Sequence, residues 1–153
     1  MSKTVKKILR IAFLIYVAVL MYVLLFSERN PDGTNGYNIY LFAEIKRYIR
    51  YRQILGMKLV VRNLVGNVLG FIPFGFLLPL LNEQLRKIWM IVLWAGGFSF
   101  IIELIQKITG VGCFDVDDIF LNTLGGFLGY LLWYSIRQIR KRYGYKKKET
   151  EKI

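Results

Sequence analysis

The chain has 153 residues, of which 55% are hydrophobic and 21% are charged, and its formal net charge at pH 7 is +12. Four long apolar runs in so short a chain exclude an ordinary soluble domain, and the lack of histidine excludes Ser-His proteases, His-based phosphatases and typical zinc sites. Lys and Arg flank the apolar runs, as in membrane proteins, so the positive charge does not indicate a nucleic-acid partner.

The apolar runs predict four membrane-spanning helices. Their limits are about 8–26, 59–81, 88–108 and 118–136, each close to the ~20 residues that cross a ~30 Å hydrocarbon core. The first run resembles a signal peptide, but it is long and Leu25-Phe26-Ser27-Glu28 is a poor cleavage site, so we interpret it as an uncleaved span. We therefore predict an all-α membrane protein, a compact four-helix bundle in which residues 1–136 form one membrane domain.

Two further segments lie between and after the spans. Residues 28–36 are rich in turn-forming residues and predict a loop, and residues 38–55 predict an amphipathic helix with Leu41, Ile45 and Ile49 on its apolar face. This helix either lies in the headgroup layer, where its basic face meets lipid phosphates, or packs on the end of the bundle. Residues 137–153 form a basic tail, which we expect to contact anionic lipid.

The distribution of basic residues predicts the orientation. Most of the 22 Lys and Arg residues lie in the two terminal segments and in the loop between the second and third spans. The positive-inside rule therefore places both termini in the cytoplasm.

Polar residues interrupt the last three spans near one shared end. They are Arg62, Asn63, Asn67, Glu103, Gln106, Asp115, Asp118 and Asn122. At a rise of 1.5 Å per residue they fall in one layer, which is the outer one if the termini are cytoplasmic. Polar groups are costly in lipid, so they usually face a partner, a cavity or a functional site.

A structural interpretation accounts for each of these residues separately. Asp115 or Asp117 could cap the fourth helix, and the asparagines could form hydrogen bonds between helices. Glu103 could pair with Arg62 or carry a proton.

The functional interpretation makes the same residues one site. Glu103, Asp115 and Asp118 would supply acceptors, while the asparagine amides and Arg62 would supply donors. Such a site could hold a polar headgroup, a divalent cation or a proton. Glu103 is the strongest single candidate, because a carboxylate within a span is costly to retain.

Small residues share helix faces with the polar ones and predict close helix packing. The residues assigned to packing are Gly66, Gly70, Pro73, Gly125, Gly126 and Gly129. Pro73 removes a backbone hydrogen bond and can bend the second span, which either opens a cavity beside Asn67 or only shapes the helix.

Two stretches of sequence resemble the VanZ-like family. The second span reads Asn63-Leu-Val-Gly-Asn67-Val-Leu-Gly-Phe-Ile-Pro73-Phe-Gly75, and the third and fourth contain Glu103-Leu-Ile-Gln106 and Gly112-Cys-Phe-Asp115-Val-Asp-Asp118 followed by Asn122 and Gly125-Gly126. The likeness covers about residues 38–134. One departure is that many members have an Asn-Leu-Ile-Pro-Phe-like motif where this chain reads Asn38-Ile-Tyr-Leu41-Phe42.

The resemblance implies a multi-pass protein of the bacterial cytoplasmic membrane. The family's namesake is associated with resistance to teicoplanin, a lipidated glycopeptide that acts at the outer face on lipid-linked wall precursor. The resemblance implies a protein that modulates the envelope's response to such an antibiotic, which we expect to act through the outward polar cluster. Because the sequence shows no nucleophile–base pair, we expect it to be non-enzymatic and to need no cofactor. Its expected partners are the bilayer, anionic lipids, and lipid-linked wall precursor or lipoglycopeptide.

Two alternatives stay open at this point. One is a His-free membrane enzyme acting on a lipid-linked or phospholipid headgroup, in which Glu103, Asp115 and Asp118 would supply a base or bind Mg²⁺ and Arg62 would hold phosphate. The other is a scaffold or small transport subunit whose glycine faces bind another helix.

Overall fold

Four long apolar helices cross the molecule. The computed structural model describes residues 2–27 and 37–150, with side chains for residues 2–26 and 37–143. The long helices are α1 (Lys3–Ser27), α4 (Met57–Leu81), α5 (Ile88–Thr109) and α6 (Val116–Thr150), and each is long and apolar enough to span a membrane. The all-α, four-span prediction is therefore confirmed. The predicted loop at residues 28–36 lies outside the described residues.

Short elements gather at one end of the bundle. They are β1 (Tyr37–Asn38), α2 (Ala43–Arg50), α3 (Arg52–Leu55) and β2 (Phe114–Asp115), while a 3₁₀ turn (Glu83–Leu85) lies at the other end between α4 and α5. β1 and β2 pair in parallel, with Asn38 opposite Asp115. This pairing holds residues 37–38 against the start of α6.

The amphipathic helix predicted over 38–55 was too long. It begins only at Ala43, because Asn38 is in a strand and Phe42 has a φ of 68°, a left-handed conformation that a helix cannot continue through. It is also divided into α2 and α3 at Tyr51, whose ψ of 18° departs from helical values. Gly56, with a φ of 82°, then turns the chain into α4.

The basic segment after residue 136 is helical as far as the structure describes it. α6 continues through Thr150, whereas the sequence predicted that the fourth span ends near 136 and a separate tail follows. Lys and Arg are good helix formers and no proline interrupts them, so nothing stops the helix at the end of its apolar part.

α4 and α6 form the closest helix pair in the bundle. A Cβ on Gly75 would overlap the carbonyl of Gly126, and a Cβ on Gly126 would lie 2.6 Å from the Cβ of Ala95 in α5. Two more glycines of α6 touch the α4 backbone in the same way: Gly125 at Val68 and Gly129 at Ile72. Only residues without a side chain allow helices to approach this closely.

The packing prediction was wrong for Gly66. Among the described residues, a Cβ there would meet nothing within 4 Å, whereas a Cβ on Gly70 would meet only the Leu20 side chain at 3.3 Å. Pro73 lies inside α4, which continues past it to Leu81. Tyr16 of α1 donates a hydrogen bond to the Gly70 carbonyl at 2.5 Å, which connects α1 to α4 in the turn before that proline.

The apolar core lies beyond these glycine contacts, toward the 3₁₀ turn. It is built from α1, α4, α5 and α6 and contains Leu20, Phe71, Phe74, Leu78, Ile91, Ala95, Tyr130 and Trp133. The other end of the bundle, under the short elements, contains the polar residues instead.

Candidate functional site

A cavity of about 120 Å³ lies between the four long helices. Six of the eight polar residues singled out in the sequence line it: Arg62, Asn63, Asn67, Glu103, Gln106 and Asp118. α4 and α6 contribute them near their starts and α5 near its end, so all lie at the end of the bundle opposite the start of α1 and the basic part of α6. Three segments that are distant in sequence thus converge on one cavity.

Asn67 and Asp118 connect α4 to α6 across this cavity. The Asn67 side-chain amide donates a hydrogen bond to Asp118 Oδ1 at 2.6 Å. Asn67 is 9% exposed and Asp118 is half-buried. A short bond from an amide to a carboxylate fixes the orientation of both side chains.

Glu103 is deeply buried and receives a hydrogen bond from the protein backbone. The side chain is 3% exposed, and its Oε2 accepts from the amide of Asp115 at 2.9 Å. A buried carboxylate needs such donors because its desolvation is costly. The bond also connects α5 to β2, so Glu103 ties the site to the short elements above it.

Asp115 does not line the cavity, but its hydrogen bonds fix the residues at the cavity's edge. Its Oδ1 accepts from the Asn38 side chain at 3.0 Å and from the amide of Asp117 at 2.8 Å. Asp115 is therefore the cap of α6, which the structural interpretation had left open between Asp115 and Asp117. Burial raises the pKa of Asp115 above its ordinary value, and the hydrogen bonds from Asp117 and Asn38 partly oppose that rise.

Asn122 lies deeper and does not line the cavity either. Its side-chain amide donates to Ser99 Oγ of α5 at 2.8 Å, and the two residues are 1% and 0% exposed. This contact is the bond between helices that the structural interpretation expects. Ser99 was not identified as its partner from the sequence.

The short helix α2 lies over the rim of the cavity. The Asn63 side chain donates to the hydroxyl of Tyr48 at 2.5 Å, and Arg62 Nε donates to Asn63 Oδ1 at 3.4 Å. Arg62 is exposed, so its guanidinium lies at the opening rather than inside.

Gln106 connects the cavity to α1. Its side-chain nitrogen donates to the carbonyl of Leu24 at 3.0 Å. The residue is 3% exposed, and its Oε1 accepts no hydrogen bond from any residue that the structure describes. Among the described residues two buried side-chain acceptors are thus unsatisfied, Gln106 Oε1 at the cavity and Asn122 Oδ1 deeper in the bundle.

Sequence reasoning missed three residues that shape the site. Asp117 is 1% exposed and its carboxylate accepts hydrogen bonds from the backbone of α2. Asn38 donates a hydrogen bond to Asp115, and Tyr48 accepts one from Asn63. The sequence offered Asp117 only as a possible cap of the fourth helix itself, because no periodic signal marks contacts between a loop and a distant helix.

The geometry does not favour a metal centre. Among residues 2–27 and 37–143, no group of three or more His, Cys, Asp or Glu side chains is arranged to hold a metal ion. The Mg²⁺ of the enzyme alternative therefore gains no support from the structure.

Comparison with known proteins identifies the family. The sequence profile of the VanZ/LLP1 family matches residues 13–137. Protein VanZ of Enterococcus faecium is 39% identical over 74 residues, which are 47% of this chain and 44% of that protein. The match thus spans less than half of the relative's length, and no solved structure matches the chain. Because the family profile covers most of the sequence and part or all of each long helix, this chain belongs to the VanZ/LLP1 family.

Proposed function

We propose that this protein lowers the susceptibility of a bacterial envelope to a lipophilic glycopeptide antibiotic of the teicoplanin type, and that it acts through the cavity as a binding site. The observation that carries the proposal is the convergence of six polar side chains on that cavity. Five of them come from α4 and α5, within helices that are otherwise apolar, and polar groups there are costly unless they pair or bind a ligand.

The orientation in the proposal comes from charge. The basic segments at the start of α1 and the end of α6 lie at the end opposite the cavity. If these segments are cytoplasmic, as the positive-inside rule favours, the cavity opens at the outer face of the cytoplasmic membrane. A lipidated antibiotic and lipid-linked wall precursor both occupy that face.

Binding fits the side-chain arrangement better than catalysis does. Glu103 accepts from a backbone amide and Asp118 accepts from Asn67. These bonds hold the carboxylates as acceptors in fixed orientations, which is what recognition of a donor group requires.

The test is antibiotic susceptibility in a susceptible Gram-positive host. The host would carry an empty vector, the wild type, Glu103→Gln or Asp118→Asn, with membrane abundance measured for each. We expect the wild type to raise the teicoplanin concentration that inhibits growth and both variants to lose most of that protection at equal abundance. No protection by the wild type, or equal protection by all three proteins, would reject the proposal.

A further inference from the structure

The cavity opens sideways between α1 and α4. Arg62 and Gly66 of α4 line it and are exposed, and Val23 of α1 lines it with 48% of its surface exposed. A Cβ on Gly66 would meet nothing within 4 Å. Gly66 lies one turn, about 6 Å, from Arg62 along the helix. These exposed lining residues place the opening in the side of the bundle, between α1 and α4.

The two walls of the cavity differ in chemistry. The α1 wall is aliphatic and consists of Leu20, Val23 and Leu24, whereas α4, α5 and α6 present polar groups. A ligand that enters from the bilayer and satisfies both walls is an amphiphile whose headgroup reaches inside while its chains stay in lipid.

The charges in the cavity are separated by depth. The Arg62 guanidinium is at the exposed rim, and such a group recognises phosphate through paired N–H donors. Glu103 is almost fully buried, and Asp118 is held by Asn67. The unsatisfied Oε1 of Gln106 adds a buried acceptor on the same lining. The interior thus presents acceptors for a cationic donor, and the rim presents a cation for an anion.

We propose that the cavity binds the headgroup of a phospholipid bearing a primary ammonium, which enters sideways between α1 and α4. Its phosphate pairs with Arg62, and its ammonium donates to Glu103, Asp118 and Gln106. This inference names the class of ligand that the cavity binds. It rests on the proposed function in one respect only, that the cavity is a binding site.

Size and lining chemistry both favour an ethanolamine-like group. A cavity of about 120 Å³ holds several water molecules, so it has room for a short amino alcohol. None of the described residues that line the cavity is aromatic, whereas quaternary ammonium groups are usually held by aromatic cages. A primary ammonium also has the N–H donors that carboxylates need, and a choline group has none.

The test is lipid retention by the purified full chain. Nanodiscs with equal amounts of phosphatidylethanolamine, phosphatidylcholine and phosphatidylglycerol, all with the same acyl chains, would be dissociated in a native mass spectrometer. We expect phosphatidylethanolamine to stay bound about tenfold or more over phosphatidylcholine, the difference that loss of charge-assisted hydrogen bonds produces. Phosphatidylglycerol, which has the phosphate but no ammonium, should also be retained less.

Two leucine variants provide a matched control. Gly66→Leu places a side chain at the opening, and Gly97→Leu places one on α5, where a Cβ also meets nothing within 4 Å. We expect Gly66→Leu to lose the preference and Gly97→Leu to keep it. Equal retention of the three lipids by the wild type, or unchanged preference in Gly66→Leu, would overturn the inference. The lipid-retention experiment contains no antibiotic, so a lipid preference can be observed even if the protein gives no antibiotic protection. Failure of one proposal is therefore distinguished from failure of the other.

Discussion

The carboxylate of Asp117 caps α2 from the first turn of α6, with Oδ2 accepting a hydrogen bond from the backbone amide of Glu44 at 2.8 Å. The same oxygen accepts from Ile45 at 3.1 Å, and Oδ1 accepts from Phe42. Phe42, the residue at the N-cap position, provides no side-chain cap. The orphan amides of α2 are therefore satisfied by a side chain 72 to 75 residues away, which fixes α2 over the cavity rim.

Removing this cap should loosen α2 without unfolding the bundle. For Asp117→Ala we expect a loss of about 1–2 kcal/mol of local stability, because a helix cap is lost and buried amides become unsatisfied. The measurement is hydrogen exchange of the α2 amides in detergent. Asp117→Asn keeps one acceptor oxygen and should lose less, and protection in α2 unchanged by the alanine would show that the cap does not hold the helix.

The sequence predicted the long helices better than the elements that connect them. Apolar run length and the ~20-residue requirement depend on the chain segment alone, so α4 and α5 were found within about two residues of their ends. The start of α2 depends on Asp117 and on the pairing of Asn38 with Asp115. Those partners are more than 70 residues away in sequence, which is why a local pattern placed the helix start at Asn38.

The glycine contact between α4 and α6 should be sensitive to any side chain. Gly75→Ala places a Cβ against the Gly126 carbonyl, so we expect overpacking to cost about 1–3 kcal/mol or more. The measurement is the apparent Tm of the protein purified in detergent. Gly97→Ala is the matched control in another span, where a Cβ meets nothing, and a Tm lowered equally by both variants would contradict the close packing of α4 on α6.

The region around Asp115, the residue that caps α6, should become more stable as the pH falls. Burial raises the folded-state pKa of Asp115 above its ordinary value of 3.8, so the folded state binds the proton more tightly than the unfolded state does. The contribution of Asp115 to stability is then full below pH 3.8 and is lost as the pH rises through the folded-state pKa. Burial likewise raises the pKa of Glu44, against the opposing effect of Arg47.

This pH dependence can be measured through the opening free energy of the Asp117 amide, whose acceptor is Asp115. Asp115→Asn keeps an acceptor oxygen but cannot titrate, so we expect it to flatten the pH dependence and leave only the part due to Glu44. An opening free energy that rises with pH in the wild type would show the opposite sign and reject the assignment.

The orientation can be tested by cysteine labelling in intact cells. With the single native cysteine replaced (Cys113→Ser), Tyr40→Cys places a thiol at a residue that is 75% exposed at the cavity end. We expect a membrane-impermeant maleimide to label it from outside, whereas Lys141→Cys at the opposite end should react only after the cells are permeabilised. The reverse pattern would place the cavity at the cytoplasmic face.

The sequence predicted that the polar residues lie at one depth along the helices, but not which of them line the same cavity. Spacing along each span was enough to place Asn67, Glu103 and Asp118 at one end, because helical rise is constant. Which of them share a cavity depends on how the helices are rotated against each other. That rotation is set by the Gly75–Gly126 contact, and Gly75 was not among the residues assigned to packing. Gly66 was assigned to packing by its spacing from Gly70, yet it borders the opening.

The most direct test of the central claim is teicoplanin susceptibility in cells that produce the Gly66→Leu and Gly97→Leu proteins at equal membrane abundance. Both substitutions add the same side chain at a spacious position in a long helix, and only the first obstructs the cavity. If the cavity is the working site, Gly97→Leu protects as the wild type does and Gly66→Leu does not. Full protection by Gly66→Leu would contradict the account.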